Sequence, residues 1–108
     1  MEPKNGRVVD EDDYEHWYLN GELHRVDGPA VVYPDGYKAW YLNGKRHRVG
    51  GPSIIYSDGS EFWHLDGERH RVGGPAIVNS NGIKRWYLNG VEYSEVDYWL
   101  NAELLHGT

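Results

Sequence analysis

The chain has 108 residues, 39% hydrophobic and 14% aromatic, so it is one small domain whose apolar area must come largely from five Trp and nine Tyr, and a compact aliphatic two-layer core is excluded. A net charge of −6 makes duplex nucleic acid and anionic bilayers poor partners, since neutralising phosphates takes Lys and Arg. Without cysteine there is no disulfide framework and no thiolate metal site, and no apolar run is long enough to cross a bilayer.

Residues 1–5 read as a polar, disordered tail. No basic start followed by an apolar stretch marks an export signal, and a cytoplasmic location is expected. From residue 6 onward one unit repeats. Trp17-Tyr18-Leu19-Asn20-Gly21 returns as Trp40-Tyr41-Leu42-Asn43-Gly44, Trp63-His64-Leu65-Asp66-Gly67 and Trp86-Tyr87-Leu88-Asn89-Gly90, each time 23 residues on. A fixed period in this range marks a repeat array, in which neighbouring units bury one another's faces. The rest of the unit keeps the same step: His24-Arg25, His47-Arg48, His70-Arg71; then Gly28-Pro29-Ala30, Gly51-Pro52-Ser53, Gly74-Pro75-Ala76. Arg7-Val8-Val9 falls in register as the strand of a worn first copy, so the four copies occupy residues 6–93.

Within a copy, Ala30–Tyr33 is short and β-branched, and Tyr37–Leu42 alternates; Pro34-Asp35-Gly36 lies between them. That loop predicts a type I turn ending in a left-handed glycine, the three-residue connection of a β-hairpin. Alternation places Trp40 and Leu42 on one face and Tyr37, Ala39 and Tyr41 on the other. The Trp and Leu positions never change between copies, whereas that of Ala39 is taken by His16, Phe62 and Arg85. The Trp/Leu face is therefore expected to be packed and the varied face to carry specificity. For the stretch after Leu42 an ordered loop is expected, with a second Asn-Gly hairpin as the alternative; Gly50-Gly51 and Gly73-Gly74 read as turn formers.

The fourth copy loses the His-Arg-x-x-Gly-Pro word, and the period changes. Ser94-Glu95-Val96-Asp97 is a helix start, with a Ser N-cap and a carboxylate three residues on. Val96, Trp99, Leu100 and Leu104 then recur at helical spacing, and Gly107 is the stop. The expected architecture is an all-β repeat: an elongated antiparallel β-hairpin array closed by a short capping helix in residues 94–108.

The unit resembles the membrane occupation and recognition nexus (MORN) repeat, whose 23 residues hold an aromatic, an Asn-Gly-Lys-Arg-His-like turn, a glycine and a Tyr-x-Asp-Gly turn. The copy from Trp40 to Gly59 is nearest, departing by the added Leu42 and by Arg48 where that family has a glycine. The fuller word, Trp-Tyr-x-Asn-Gly…His-Arg-x-x-Gly-Pro-Ala, is similar to a variant in bacteriophage and large-virus proteins. The resemblance covers about residues 6–97 and implies a β-hairpin array; it implies little about function.

The recurrent His24, His47 and His70 invite a metal site, but two strands per unit put them roughly 10 Å apart, against a zinc–nitrogen bond of about 2.0 Å. No metal and no cofactor are expected. The structural reading of the His/Arg row is that each His bonds loop backbone and each Arg covers an aromatic ring. No Gly-x-Ser-x-Gly, phosphate loop or His-Glu-x-x-His occurs, and evenly spread residues argue against an active site, so the chain is not expected to be an enzyme.

Three functions compete. In the first, the array docks on another protein through Tyr37, Tyr41, Phe62, His64, Arg85 and Tyr87, rich in the residue types that dominate interfaces; its virus-borne likeness implies an inhibitor of a host defence protein. In the second, the row His24, Arg25, His47, Arg48, His70 and Arg71 holds a small anionic ligand such as a nucleotide or sugar. In the third, the acidic run Asp10–Asp13 mimics nucleic acid in a basic cleft. An uncapped first hairpin also admits a homodimer.

Overall fold

The computed structural model describes residues 2–106, with side chains through Leu104; Met1 and the expected helix stop Gly107 lie outside the described residues. The first copy supplies β1 (Gly6–Val9), β2 (Glu15–Leu19) and β3 (Glu22–Leu23). The second supplies β4 (Val31–Val32), β5 (Lys38–Ala39), β6 (Tyr41–Leu42) and β7 (Lys45–Arg46), and the third β8 (Ile54–Ile55), β9 (Glu61–Phe62), β10 (His64–Leu65) and β11 (Glu68–Arg69). The last holds β12 (Ile77–Val78), β13 (Lys84–Leu88) and β14 (Val91–Tyr93), followed by α1 (Glu95–His106).

The main sheet is antiparallel in the order β1-β2-β4-β5-β8-β9-β12-β13-β14, with β3 on β2 and the small ladders β6–β7 and β10–β11 beside it. It stays open, and the molecule is elongated, 49 × 29 × 19 Å. Pairing follows the sequence period: Val31 faces Ala39, Ile54 faces Phe62 and Ile77 faces Arg85, and Val8 faces His16 in the same way, so Arg7–Val9 is indeed the first strand of the array. Lys4 and Asn5, read from sequence as tail, lie against the first turn: the Lys4 carbonyl accepts from Gly21 N–H at 2.8 Å and Asn5 Oδ1 from Asn20 N–H at 2.8 Å.

The Pro34-Asp35-Gly36 turn forms as expected. Gly36 has φ 100° and donates to the Tyr33 carbonyl at 3.1 Å, and Asp35 Oδ1 accepts from Tyr37 N–H at 3.0 Å. The ordered loop expected after Leu42 is instead a second hairpin. Asn43 and Gly44 have φ 49° and 77°, the paired left-handed residues of a type I′ turn, and β6 pairs with β7. Asn tolerates that region because its short side chain bonds locally, and Asn20, Asp66 and Asn89 repeat the geometry.

The face assignment is also corrected. Val31, Ala39 and Ile54 form a buried cluster on which Tyr33, Tyr37, Tyr41, Tyr56 and Phe62 pack, and Ala76, Ile77 and Tyr87 form the next; the varied face is the core. Trp40 and Leu42 stay half-buried. Aromatic rings run along the core face from Tyr14 to Tyr33 (4.4 Å between centroids), Tyr37 (5.1 Å), Tyr56 (5.6 Å) and Phe62 (5.1 Å). Each such pair contributes about 1 kcal/mol beyond the area it buries.

Helix α1 starts where the capping signal places it, with Asp97 N–H donating to Ser94 Oγ at 3.2 Å. Its packed side differs from the one the apolar spacing marks. Tyr98 and Ala102 seal Leu88, with Trp86 and Tyr93 around them, while Val96, Trp99, Leu100 and Leu104 are 71, 45, 57 and 84% exposed.

Candidate protein-docking site

The His-Arg-x-x-Gly-Pro word builds one small device per copy. The guanidinium carbons of Arg25, Arg48 and Arg71 lie 4.0, 3.9 and 3.9 Å from the ring centroids of Trp17, Trp40 and Trp63. Their Nη1 groups donate to the carbonyls of Pro29, Pro52 and Pro75 at 3.2, 3.1 and 3.1 Å. A Cβ on Gly28, Gly51 or Gly74 would meet the guanidinium carbon at 2.9, 2.7 or 2.8 Å. The arginine is thus pressed flat between an indole and a glycine, and the second glycine of each Gly-Gly pair is there for that contact; Gly50 and Gly73, at φ 80° and 92°, make the turn.

Gly51→Ala is expected to expel Arg48 from Trp40 and cost about 1–2 kcal/mol, the sum of a cation–π contact and a hydrogen bond. In an Arg48→Ala background the same change should cost almost nothing. Urea unfolding of the four-member cycle measures the coupling, and additive effects would refute the device.

The histidines join one copy to the next. Nδ1 of His24, His47 and His70 accepts the backbone N–H of Asn43, Asp66 and Asn89 at 2.9, 3.0 and 2.9 Å. Beside each bond a backbone one runs in parallel, from Gly44 to the Leu23 carbonyl, Gly67 to Arg46 and Gly90 to Arg69. Asn5 Oδ1 fills the same role under the first turn. The row proposed for an anionic ligand is therefore engaged in holding the array together.

Between the Arg loop of one copy and the Trp/Leu face of the next a groove opens. The first, about 510 Å³, lies between Arg25–Pro29 and Trp40, Leu42 and Val49. The second, about 220 Å³, lies between Arg48–Gly50 and Trp63, Leu65 and Val72. Val26 and Val49, at the lips, are 84 and 81% exposed, and Val72 follows in register. Arg25 pairs with Asp27 at 2.9 Å and Glu15 at 3.7 Å; among the described residues Arg48 and Arg71 have no carboxylate within 4.0 Å. Trp63 Nε1 is buried there without a hydrogen-bond partner, although Trp17 Nε1 donates to Glu15 at 2.8 Å. That bond, followed by those from Arg7, keeps the Glu15 carboxyl below its ordinary pKa.

One step further along, between Arg71–Gly74 and Trp86 and Leu88, the groove is filled by α1. The Tyr98 hydroxyl donates to the Arg71 carbonyl and accepts from Gly73 N–H at 3.0 Å and Gly74 N–H at 3.3 Å. Its ring lies 5.1 Å from that of Trp86.

The residues that sequence assigned to a protein-binding face come together along the core instead. Tyr37, Tyr41 and Phe62 are half-buried, His64 and Tyr87 are buried, and exposed Arg85 is held by Glu92 at 2.8 Å. His64, 4% exposed, lies with Nδ1 2.7 Å from Ser53 Oγ, which in turn is 3.0 Å from the Phe62 carbonyl. Burial, then the nearby Arg46 and Arg69 charges, push its pKa down to about 4. The acidic run forms the β1–β2 turn, where Asp10 Oδ1 accepts from Asp12 and Tyr14 N–H at 2.9 and 3.0 Å. Sequence reasoning missed Val26, Val49 and Val72, and their signal was there: an apolar residue in each polar turn, 23 apart.

Among the described residues no helix is long and apolar enough to cross a membrane, and no group of three or more His, Cys, Asp or Glu is placed to hold a metal. No family model, no curated protein and no solved structure matches the chain.

Proposed function

We propose that the chain is a non-enzymatic repeat module that binds another protein, and that it does so on the grooved Trp/Arg side rather than on the varied face. The observation that carries this reading is the row of Val26, Val49 and Val72 held out at the groove lips. A small β-branched apolar group in water costs free energy, about 1.5–3 kcal/mol of which is recovered when a side chain of this class is fully buried. One such group per copy, beside Trp and Arg, has the composition of an interface centre. The likeness of the repeat word to virus-borne MORN-like proteins adds the role of an inhibitor acting on a host protein in the host cytoplasm.

The test is capture from a host lysate with tagged wild type, with Val26→Asp/Val49→Asp, and with Arg85→Ala on the other face. Both substitutions are at exposed positions, and melting temperatures should stay within a few degrees. A stoichiometric protein retained by wild type and Arg85→Ala and lost by the valine variant is the expected result. Loss with Arg85→Ala alone would return the site to the varied face.

A further inference from the structure

We infer that the open groove between Arg48–Gly51 and Trp63–Leu65 binds the phenol side chain of a tyrosine presented by a partner helix, as the neighbouring groove binds Tyr98. This rests on the docking role proposed for the grooved side, and it names the chemistry that the groove recognises.

The chain contains its own example of an occupied groove. Shifted by the 23-residue period, Arg71, Gly73, Gly74, Trp86 and Leu88 become Arg48, Gly50, Gly51, Trp63 and Leu65, so these five positions are the same; the open groove is further lined by His70, Arg71 and Val72, where the filled one has Tyr93, Ser94 and Glu95. In the occupied groove three backbone groups are satisfied by one hydroxyl: the N–H groups of Gly73 and Gly74 donate to it and the Arg71 carbonyl accepts from it. In the open groove no described residue bonds Gly50 N–H, Gly51 N–H or the Arg48 carbonyl. Gly51 is nevertheless a buried residue. Buried backbone donors are nearly always paired, and an unpaired one costs about 1–3 kcal/mol; that cost falls on Gly51, since Gly50 is exposed, and the two N–H groups with the Arg48 carbonyl correspond to the three groups that the Tyr98 hydroxyl satisfies one repeat on. A phenol both accepts and donates, on a ring that would sit beside Trp63 and the Arg71 guanidinium stacked on it, where Tyr98 has Trp86 alone. Carboxylates accept without donating, and ammonium groups donate without accepting.

The helical form of the partner follows from the same example. Tyr98 and Ala102, one turn apart, both pack on Leu88, so the fitting segment carries Tyr with a small residue four positions on. The first groove departs from the set. Asp27 stands where Gly50 and Gly73 stand, and its carboxylate bonds Arg25 at 2.9 Å. That negative charge beside the phenol site weakens it as an acceptor position, so the second groove is the one assigned.

Amide-resolved NMR on the full chain tests this with two kinds of probe: p-cresol against toluene, and a synthetic peptide of residues 94–106 against the same peptide with Tyr98→Phe. The expected result is that p-cresol and the tyrosine peptide shift the amides of Gly50 and Gly51, that toluene does so far less, and that the phenylalanine peptide binds about tenfold more weakly. Val49→Asp, at an exposed lip, should weaken the peptide without changing the melting temperature. The inference is overturned by silent Gly50 and Gly51 amides at saturation, by equal binding of tyrosine and phenylalanine peptides, or by shifts confined to Gly73 and Gly74, which would mean displacement of Tyr98 alone. If those outcomes occur while the valine variant still loses its captured protein, the docking role stands and only the tyrosine chemistry fails.

Discussion

Tyr98→Ala is expected to destabilise the protein by about 4 kcal/mol, the range for removing a large aromatic from a sealed site. Tyr98 is 0% exposed and packs with Leu88 and Ala102 under Trp86. Its loss leaves a cavity and also strands the N–H of buried Gly74, and total stabilities of small domains are only about 5–15 kcal/mol. Tyr98→Phe separates the two parts: it keeps the ring, removes the hydroxyl from Gly73, Gly74 and the Arg71 carbonyl, and should cost about 1–3 kcal/mol. Leu100→Ser, at an outward position of the same helix, should change stability by less than about 0.5 kcal/mol. Urea midpoints of the three variants decide it. A Leu100 variant as damaged as the Tyr98 variant would mean that the helix packs through the other side.

Acid is expected to remove about 3 kcal/mol of stability through His64 alone. Its pKa is about 4 in the folded chain and near 6.5 when unfolded. The fold therefore favours the neutral ring. The contribution is complete above pH 6.5, declines as the pH falls through the window from about 6.5 to 4, and is gone below it. Glu15, whose pKa is lowered by its bond from Trp17 and then by Arg7, acts at lower pH, because a carboxylate loses its contribution only below its ordinary value near 4. The repeat supplies its own control. At the positions of His64 and Ser53 the second and fourth copies have Tyr41 with Ala30 and Tyr87 with Ala76, while the worn first copy has Tyr18 with Arg7. The pair is thus a matched exchange of tyrosine over alanine for histidine over serine. His64→Tyr with Ser53→Ala should fold and unfold alike at pH 7 and pH 4.5, apart from the carboxylate share. If the double variant keeps the full acid loss of wild type, His64 is not its source.

These two sites show where sequence reading stops. The start of α1 was legible in Ser94 and its carboxylates, since capping is chemistry within one turn. The packed side of α1 was misread, because Val96, Leu100 and Leu104 outrank Tyr98 in hydrophobicity alone, and the hydroxyl partners that make Tyr98 the better plug come from 24 to 27 residues away. The same holds in the sheet. Invariant Trp40 was read as core, whereas it is half-buried under the stacked Arg48, as Trp17 and Trp63 are under theirs, and the core is made by Ala39, Val31 and Ile54 from three strands. For the histidine row the sequence left two readings open, a structural one and an anionic-ligand site, and the bonds that His24, His47 and His70 accept from the next copy's turn are those of the structural reading.

By itself the sequence determined the period, the in-register strands, the hairpin at Pro34-Asp35-Gly36 with its Asp-Gly and Asn-Gly counterparts, and the position of the helix, all of which depend on turn chemistry and spacing carried by a few adjacent residues. Only the tertiary structure decided which face is buried, that Asn43-Gly44 closes a hairpin under the His24 ring, and that one groove is filled by Tyr98 while two stand open. Those outcomes belong to contacts between copies. The Arg-Val-Gly-Gly loop of one copy and the Trp and Leu of the next are the same in the filled groove and the second open one, but the fourth copy has Ser94 where Arg71 stands, and α1 lies on Trp86 instead of an arginine.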